Sequence, residues 1–183
     1  WAYVSVCNEM ACFYRGLSRF SESLEVFELA QKELESLYQQ RTTEYATVLL
    51  NKAGTYRLMG ELDQALKYFR KAADIFEQHP ESPQTTLAGL YNNIGLVYLD
   101  QRKPQEALTC FAGAMNALQY LENAIVETGT TWNNIAAAYN LLDNTKEAWD
   151  AADHAAAILG ALDDGCNPHY PAALNTRGIL KYR

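Results

Sequence analysis

The chain has 183 residues, of which 49% are hydrophobic and 20% charged, with a formal net charge of -7. That length and composition suit one folded segment and exclude a disordered chain, and no apolar run approaches the roughly 18 residues a membrane span needs. The acidic balance leaves no basic stripe to neutralise phosphates, so nucleic acid and membrane are excluded as expected partners and proteins are favoured.

From the N-terminus, Trp1 already stands inside a helical pattern and no initiating Met precedes it, as in a segment of a longer polypeptide. Residues 46–60 and 61–76 place apolar or small side chains at three-and-four spacing, with Gly60 as the break, which predicts a helical hairpin. Turn-forming residues recur at 79–83, 102–104, 143–145 and 163–168, so helix and turn are predicted to alternate to the end of the chain, with no strand. Cys7, Cys12, Cys110 and Cys166 are scattered without a Cys-x-x-Cys pair, which predicts reduced thiols and a cytoplasmic setting.

The punctuation is periodic. Ala11, Ala53, Gly95, Ala136 and Gly178 are separated by 42, 42, 41 and 42 residues. Three residues after each small position stand Tyr14, Tyr56, Tyr98 and Tyr139, with Lys181 ending the series. Twelve residues after it come Ser23, Ala65, Ala107 and Ala148, then Phe27, Phe69, Phe111 and Ala152, then Ala30, Ala72, Ala114 and Ala155. A small side chain lets the hairpin mate approach closely, and an aromatic one turn along fills the space beside it. Each hairpin keeps an uncovered apolar face and must stack on the next.

These columns resemble the tetratricopeptide repeat, whose common period is about 34 residues. The longer period here, with NPHYPAALNTRG at 167–178 and SPQTTLAGLYNNIG at 82–95, is similar to the subclass seen in kinesin light chains and many bacterial repeat proteins. The resemblance covers residues 1–183 as a single segment, with repeats at 4–45, 46–87, 88–128 and 129–170 and the first helix of a fifth at 171–183. It implies an all-α, right-handed superhelical solenoid of antiparallel helix pairs. Ala152 and Lys181 depart from the pattern and predict that the C-terminal end packs less tightly or needs something more to fill it. The mate-less last helix, with Leu174 and Leu180 on an apolar face, predicts self-association through that end or poor order.

The stretch YNNIGLVYLD at 91–100 returns as WNNIAAAYNL at 132–141 with both asparagines kept. Two residues along a helix turn about 200°, so Asn51, Asn93 and Asn134, two before the small position, point away from the hairpin contact. Glu9 and Thr176 hold that place in the outer repeats, and Asn8, Leu50, Asn92, Asn133 and Asn175 stand immediately before it. First helices are expected to line the concave side of such a stack, which makes this column a candidate groove floor. The resemblance implies that asparagines here hydrogen-bond a bound peptide's backbone, a task suited to a carboxamide with donors and acceptors and no charge. One turn along lie Arg15, Arg57, Leu99, Asn140 and Tyr182, which predict a positive spot for an acidic residue or carboxylate of the ligand. The lysine-rich clamp of chaperone-tail-binding members has no counterpart on these columns.

The candidate peptide-binding residues are therefore Arg15, Asn51, Arg57, Asn92, Asn93, Asn133, Asn134 and Asn140. The competing role for the asparagines is structural, bridging neighbouring first helices. If Asn93 and Asn134 face a hydrated groove, replacing both by Ala leaves stability unchanged or raised and weakens partner binding. If they brace the repeats, melting drops.

None of G-x-x-x-x-G-K-[ST], G-x-G-x-x-G, H-E-x-x-H or G-x-S-x-G occurs, so no catalytic residue is expected. Cys166 and His169 form a lone C-x-x-H, short of a zinc ligand set, and Asp163-Asp164-Gly165 lacks the later acids of a calcium loop and reads as a turn. No metal or cofactor is expected either. The reading is a scaffold for protein–protein interaction that binds a partner's peptide segment on the concave face. Two alternatives share its physics: a peptide-sensing regulatory module of a bacterial signalling protein, and a targeting arm for an enzyme whose catalytic domain lies outside this segment.

Overall fold

The computed structural model describes residues 2–79, 81–162 and 168–181, and the described residues form nine helices and no strand. They fall into two compact units, Trp1–Ser82 and Pro83–Arg183. The expectations placed on Cys166, on Asp163-Asp164-Gly165 and on Tyr182 lie outside the described residues.

In the first unit, α1 (Ala2–Gly16) pairs with α2 (Phe20–Ser36) and α3 (Thr43–Leu58) pairs with α4 (Leu62–Glu77). The pairs stack through α2 against α3, with α1 beside α3. The repeated columns supply the contacts: Ala11 and Ala53 are buried on the first helices, and Phe27, Ala30, Phe69 and Ala72 on the second. Tyr56 stacks flat on Tyr68, ring centroids 5.4 Å apart. Thr42 caps α3, its hydroxyl accepting from the Tyr45 N–H at 3.3 Å, which satisfies one of the helix's orphan donors.

Beyond α4 the chain is tied back to the α2–α3 loop. His79 Nε2 lies 2.6 Å from the Arg41 carbonyl oxygen and Nδ1 2.7 Å from the Glu81 carboxylate. The Arg41 carbonyl first, then Glu81, raise the imidazole pKa above its ordinary 6.5. A pKa higher in the folded chain than in the unfolded one means that protonation stabilises the fold. The contribution is fully present below the unfolded value and is lost as pH rises through the folded one. Melting temperature is therefore expected to fall as pH rises above the ordinary imidazole value of 6.5, and His79→Gln to flatten that fall in calorimetry. An unchanged slope in the variant would remove the tie from the account.

In the second unit, α5 (Gln84–Asp100) pairs with α6 (Pro104–Leu118) and α7 (Ile125–Leu141) with α8 (Thr145–Gly160), and α9 (Tyr170–Lys181) packs on α8. Helices α5, α7 and α9 lie side by side, and α6 packs on α7. Gly95 is required by its mate, because a Cβ there would sit 2.3 Å from the buried Phe111 ring. Pro104 opens α6 at a position where the missing N–H costs nothing.

Each helix pair turns by one device. Ser18, Gly60, Arg102 and Asp143 have φ of 59°, 80°, 61° and 58°, the left-handed residue that ends a helix. The next residue in each case, Arg19, Glu61, Lys103 or Asn144, donates its N–H to the carbonyl of Tyr14, Tyr56, Tyr98 or Tyr139 at 2.8–3.1 Å. The tyrosine column thus marks the last turn of every paired first helix.

At the C-terminal end one expectation takes its second form and one is corrected. Ala152 does not loosen the fourth pair: it is fully buried with Ala136, Ala148 and Ala151, and Leu180, Trp132 and Trp149 take up the space a phenylalanine would fill. Leu180 is not exposed, since it belongs to that cluster. The apolar side chains that α9 does expose are Leu174 and Ile179.

Candidate functional site

On the first helices the asparagines are joined from one repeat to the next. In the first unit, Asn51 Nδ2 donates to Asn8 Oδ1 at 3.0 Å, and Arg15 Nη1 donates to the Asn51 carbonyl at 3.0 Å. In the second, Asn134 Nδ2 donates to Asn92 Oδ1 at 3.1 Å, and Thr176 Oγ1 to Asn133 Oδ1 at 2.8 Å. The rule is constant: the residue two before the small position reaches the residue three before it in the preceding repeat. Asn92 passes the chain on, donating to Thr131 Oγ1 at 2.8 Å, and Thr131 donates to the Glu127 carbonyl at 2.7 Å.

This geometry splits the candidate residues. Asn51, Asn92, Asn133 and Asn134 are braces between adjacent first helices. The hydration expected for Asn134 is not found, because it and Asn92 are each only 8% exposed, the helices lying close enough for their carboxamides to bridge. Asn93 is half-buried and makes no side-chain hydrogen bond among the described residues. In the sequence register the preceding repeat offers Leu50 in the acceptor column, a side chain with nothing to accept. Arg57 and Asn140 are half-buried, and Arg15 is held by Asn51 and by Cys12 Sγ at 3.7 Å.

Asn134→Ala alone is expected to lower stability by about 1–3 kcal/mol, the cost of leaving the buried Asn92 oxygen without a donor. Urea denaturation checks it, and a neutral or stabilised variant would show the bridge to be idle.

Two cavities open on the first-helix faces. In the second unit one of about 480 Å³ is lined by Leu99 and Asp100 of α5, Asn140 and Leu141 of α7, and Thr176 and Ile179 of α9. It brings Leu99 and Asn140 of the predicted column together with the Thr176 brace. In the first unit a cavity of about 400 Å³ lies between the N-terminal halves of α1 and α3, lined by Val4, Ser5, Asn8, Glu44, Thr47 and Val48. Apolar walls with a few convergent polar groups suit a peptide segment whose backbone is read by carboxamides and hydroxyls, and the charged Asp100 and Arg102 in the first cavity and Glu44 in the second stand beside them. Among the described residues no cluster of His, Cys, Asp or Glu fits a metal ion, and no helix is long and apolar enough to cross a membrane.

Sequence reasoning missed a buried polar network in the first unit. Lys52, 1% exposed, donates from Nζ to Glu28 Oε2 at 2.5 Å and Gln31 Oε1 at 2.9 Å, and sits 4.7 Å from the Tyr68 ring centroid. Tyr45, fully buried, donates to Glu35 Oε1 at 2.7 Å and accepts from Lys71 Nζ at 3.0 Å. Hydrogen bonds from Gln31 and Tyr45 hold the Glu35 carboxyl below its ordinary range, and burial pushes the Tyr45 hydroxyl up. A signal was present: Lys52 stands at a register position held by Met10, Ile94 and Ile135 in the other complete repeats, with Arg177 in the fifth first helix.

Comparison with known proteins places this geometry. Tetratricopeptide repeat descriptions match residues 4–85 and 87–119, together more than half of the chain. A kinesin light chain-related protein 2 of Arabidopsis thaliana is 30% identical over 132 residues, covering 72% of this chain and 19% of the relative. Response regulator aspartate phosphatase E of Bacillus subtilis is 29% identical over 98 residues, 54% of this chain and 25% of that protein. The chain thus spans a quarter or less of the length of these curated relatives. The crystal structure of BtubC (BKLC) from P. vanneervenii superposes with a TM-score of 0.81 at 22% identity, over 90% of this chain and 66% of that one. That likeness shows the fold, an all-α repeat of antiparallel helix pairs. The chain belongs to the tetratricopeptide-repeat family.

Proposed function

We propose that the first-helix face binds an extended peptide segment of a protein partner. Tetratricopeptide repeats serve protein–protein interaction in general, and the finer reading rests on one observation: the cavity of about 480 Å³ in which Leu99, Asn140 and Thr176 converge. Asn140 and Asn93 are assigned direct contact with the peptide backbone. Asn51, Asn92, Asn133 and Asn134 are assigned the spacing of the helices that carry it. In the first unit Arg15 and Arg57 supply positive charge for an acidic residue of the ligand.

A library of displayed 12-residue peptides supplies the probe, and the best binder is titrated calorimetrically against variants. Asn140→Ala with Asn93→Ala is expected to weaken it at least tenfold, about 1.4 kcal/mol, while Asn93→Ala alone leaves melting unchanged. Binders that ignore both substitutions would move the ligand off this face. The likeness to response regulator aspartate phosphatase E favours a second reading, a regulatory module in which peptide binding alters the brace spacing. In that case the binder shifts amide exchange along the braces rather than only at the cavity.

A further inference from the structure

Helix α1 carries an apolar stripe at three-and-four spacing that nothing in the described residues covers. Tyr3, Val6, Met10, Phe13 and Leu17 are 51%, 63%, 42%, 64% and 52% exposed. The repeat register says what such a face is for. The equivalents of Tyr3, Val6, Met10 and Phe13 on α3 are Tyr45, Val48, Lys52 and Thr55, all 1% exposed or less, with α2 packed on that helix. In the second unit Thr131 and Ala138 of α7 and Ala173 and Leu180 of α9 hold the same register, buried on helices packed by α6 and α8. The face is a seat for the second helix of a preceding pair.

The α2–α3 contact also fixes the chemistry and direction of the occupant. Ser23, near the start of α2, meets Thr55 near the end of α3 at 3.2 Å, and Glu35, in the last turn of α2, meets Tyr45 in the first turn of α3. The two helices run antiparallel. Where Glu28 and Gln31 meet Lys52, α1 offers only Met10, so carboxylate and amide must give way to apolar groups. Where Glu35 meets Tyr45, α1 keeps a tyrosine, Tyr3.

We infer that the α1 stripe seats an amphipathic helix antiparallel to α1, small opposite Phe13, apolar opposite Met10 and acidic opposite the Tyr3 hydroxyl, supplied by a segment N-terminal to α1 in a longer polypeptide. The antiparallel fit brings the occupant's C-terminal end beside the start of α1, where a short turn joins them. The relatives leave length for it, since the matched region is 19% and 25% of theirs. No second helix of another copy matches the seat, because among the described residues the second helices expose a single large apolar side chain, Leu29, and pairing of two α1 stripes is separated by sedimentation.

The probe is a synthetic peptide of the α2 sequence, Phe20–Ser36, carrying Glu28→Leu and Gln31→Leu. It is expected to bind the 183-residue chain and protect α1 amides. The unsubstituted α2 peptide, and the substituted one against Val6→Glu or Phe13→Ser chains, bind at least tenfold more weakly. Because those two sites are exposed, the variants keep the parent circular dichroism. In the polypeptide extended by its natural N-terminal residues, peptide binding is expected to disappear and Val6→Glu to lower the melting temperature. Failure of the peptide to bind overturns the seat. A wild-type dimer in sedimentation that Val6→Glu splits assigns the face to a second copy, and an extended polypeptide that still binds the peptide assigns it to a separate partner; either result overturns the N-terminal source.

Discussion

Glu28→Ala destabilises the fold by about 3–5 kcal/mol, an effect that a half-exposed surface carboxylate would not ordinarily produce. The cause lies in its partner. Lys52 is enclosed on α3, so removing Glu28 leaves an ammonium in the interior with Gln31, the Tyr68 ring and the more distant Glu35 carboxylate to offset its lost hydration. The converse substitution is mild. Lys52→Met removes the buried charge and keeps most of the volume, while Glu28, 48% exposed, returns to water. The expected cost is below about 1.5 kcal/mol, and methionine already stands at this register position in the first repeat, as Met10. On the Lys52→Met background Glu28→Ala is then nearly silent. Urea denaturation of the four chains completes the cycle, and a Glu28→Ala cost that persists with Lys52 absent would show that the carboxylate acts through something else.

The second large effect sits in the other unit. Phe111→Ala empties the centre of the α5–α6 contact and is expected to cost about 3–5 kcal/mol, since the ring is fully buried among Ala107, Ala138, Tyr98, Leu99 and Ile135. Gly95 makes this testable as a coupling. Gly95→Ala alone overpacks against the ring and costs about 1–3 kcal/mol. With Phe111 truncated the added methyl meets open space, and alanine's better helix propensity turns the substitution neutral or favourable. Additive losses in the double variant would mean that glycine is needed there for backbone reasons.

The repeats were legible because packing requires size at fixed places. Ala53 and Ala136 must be small for a mate to approach, and Phe27, Phe69 and Phe111 must fill what is left, so the sequence carries the fold as columns. The asparagines were legible as a column but not as a role. An uncharged donor-acceptor group suits a ligand's backbone and a neighbouring helix equally well, and what separates Asn134 from Asn93 is the residue in the acceptor column of the preceding repeat, Asn92 in one case and Leu50 in the other. The turns were half hidden for a related reason. The left-handed residue is advertised where it is Gly60, yet Ser18, Arg102 and Asp143 adopt the same conformation, held by the N–H bond to the tyrosine carbonyl. Lys52 escaped notice because a cation in a mostly apolar column reads as surface until its burial is seen.

The braces also set how quickly the chain can find its fold. The brace hydrogen bonds Asn51 to Asn8 and Thr176 to Asn133 span 43 residues each and link adjacent repeats. Closing a loop of that size adds little entropy over a shorter one, because the cost grows only with the logarithm of length. Within each unit the helix contacts join elements that are neighbours or next but one in sequence. Low contact order of this kind belongs with helical proteins that fold in microseconds to milliseconds. Each pair that forms presents its neighbour with a finished surface, so order spreads along the chain by local steps in either direction.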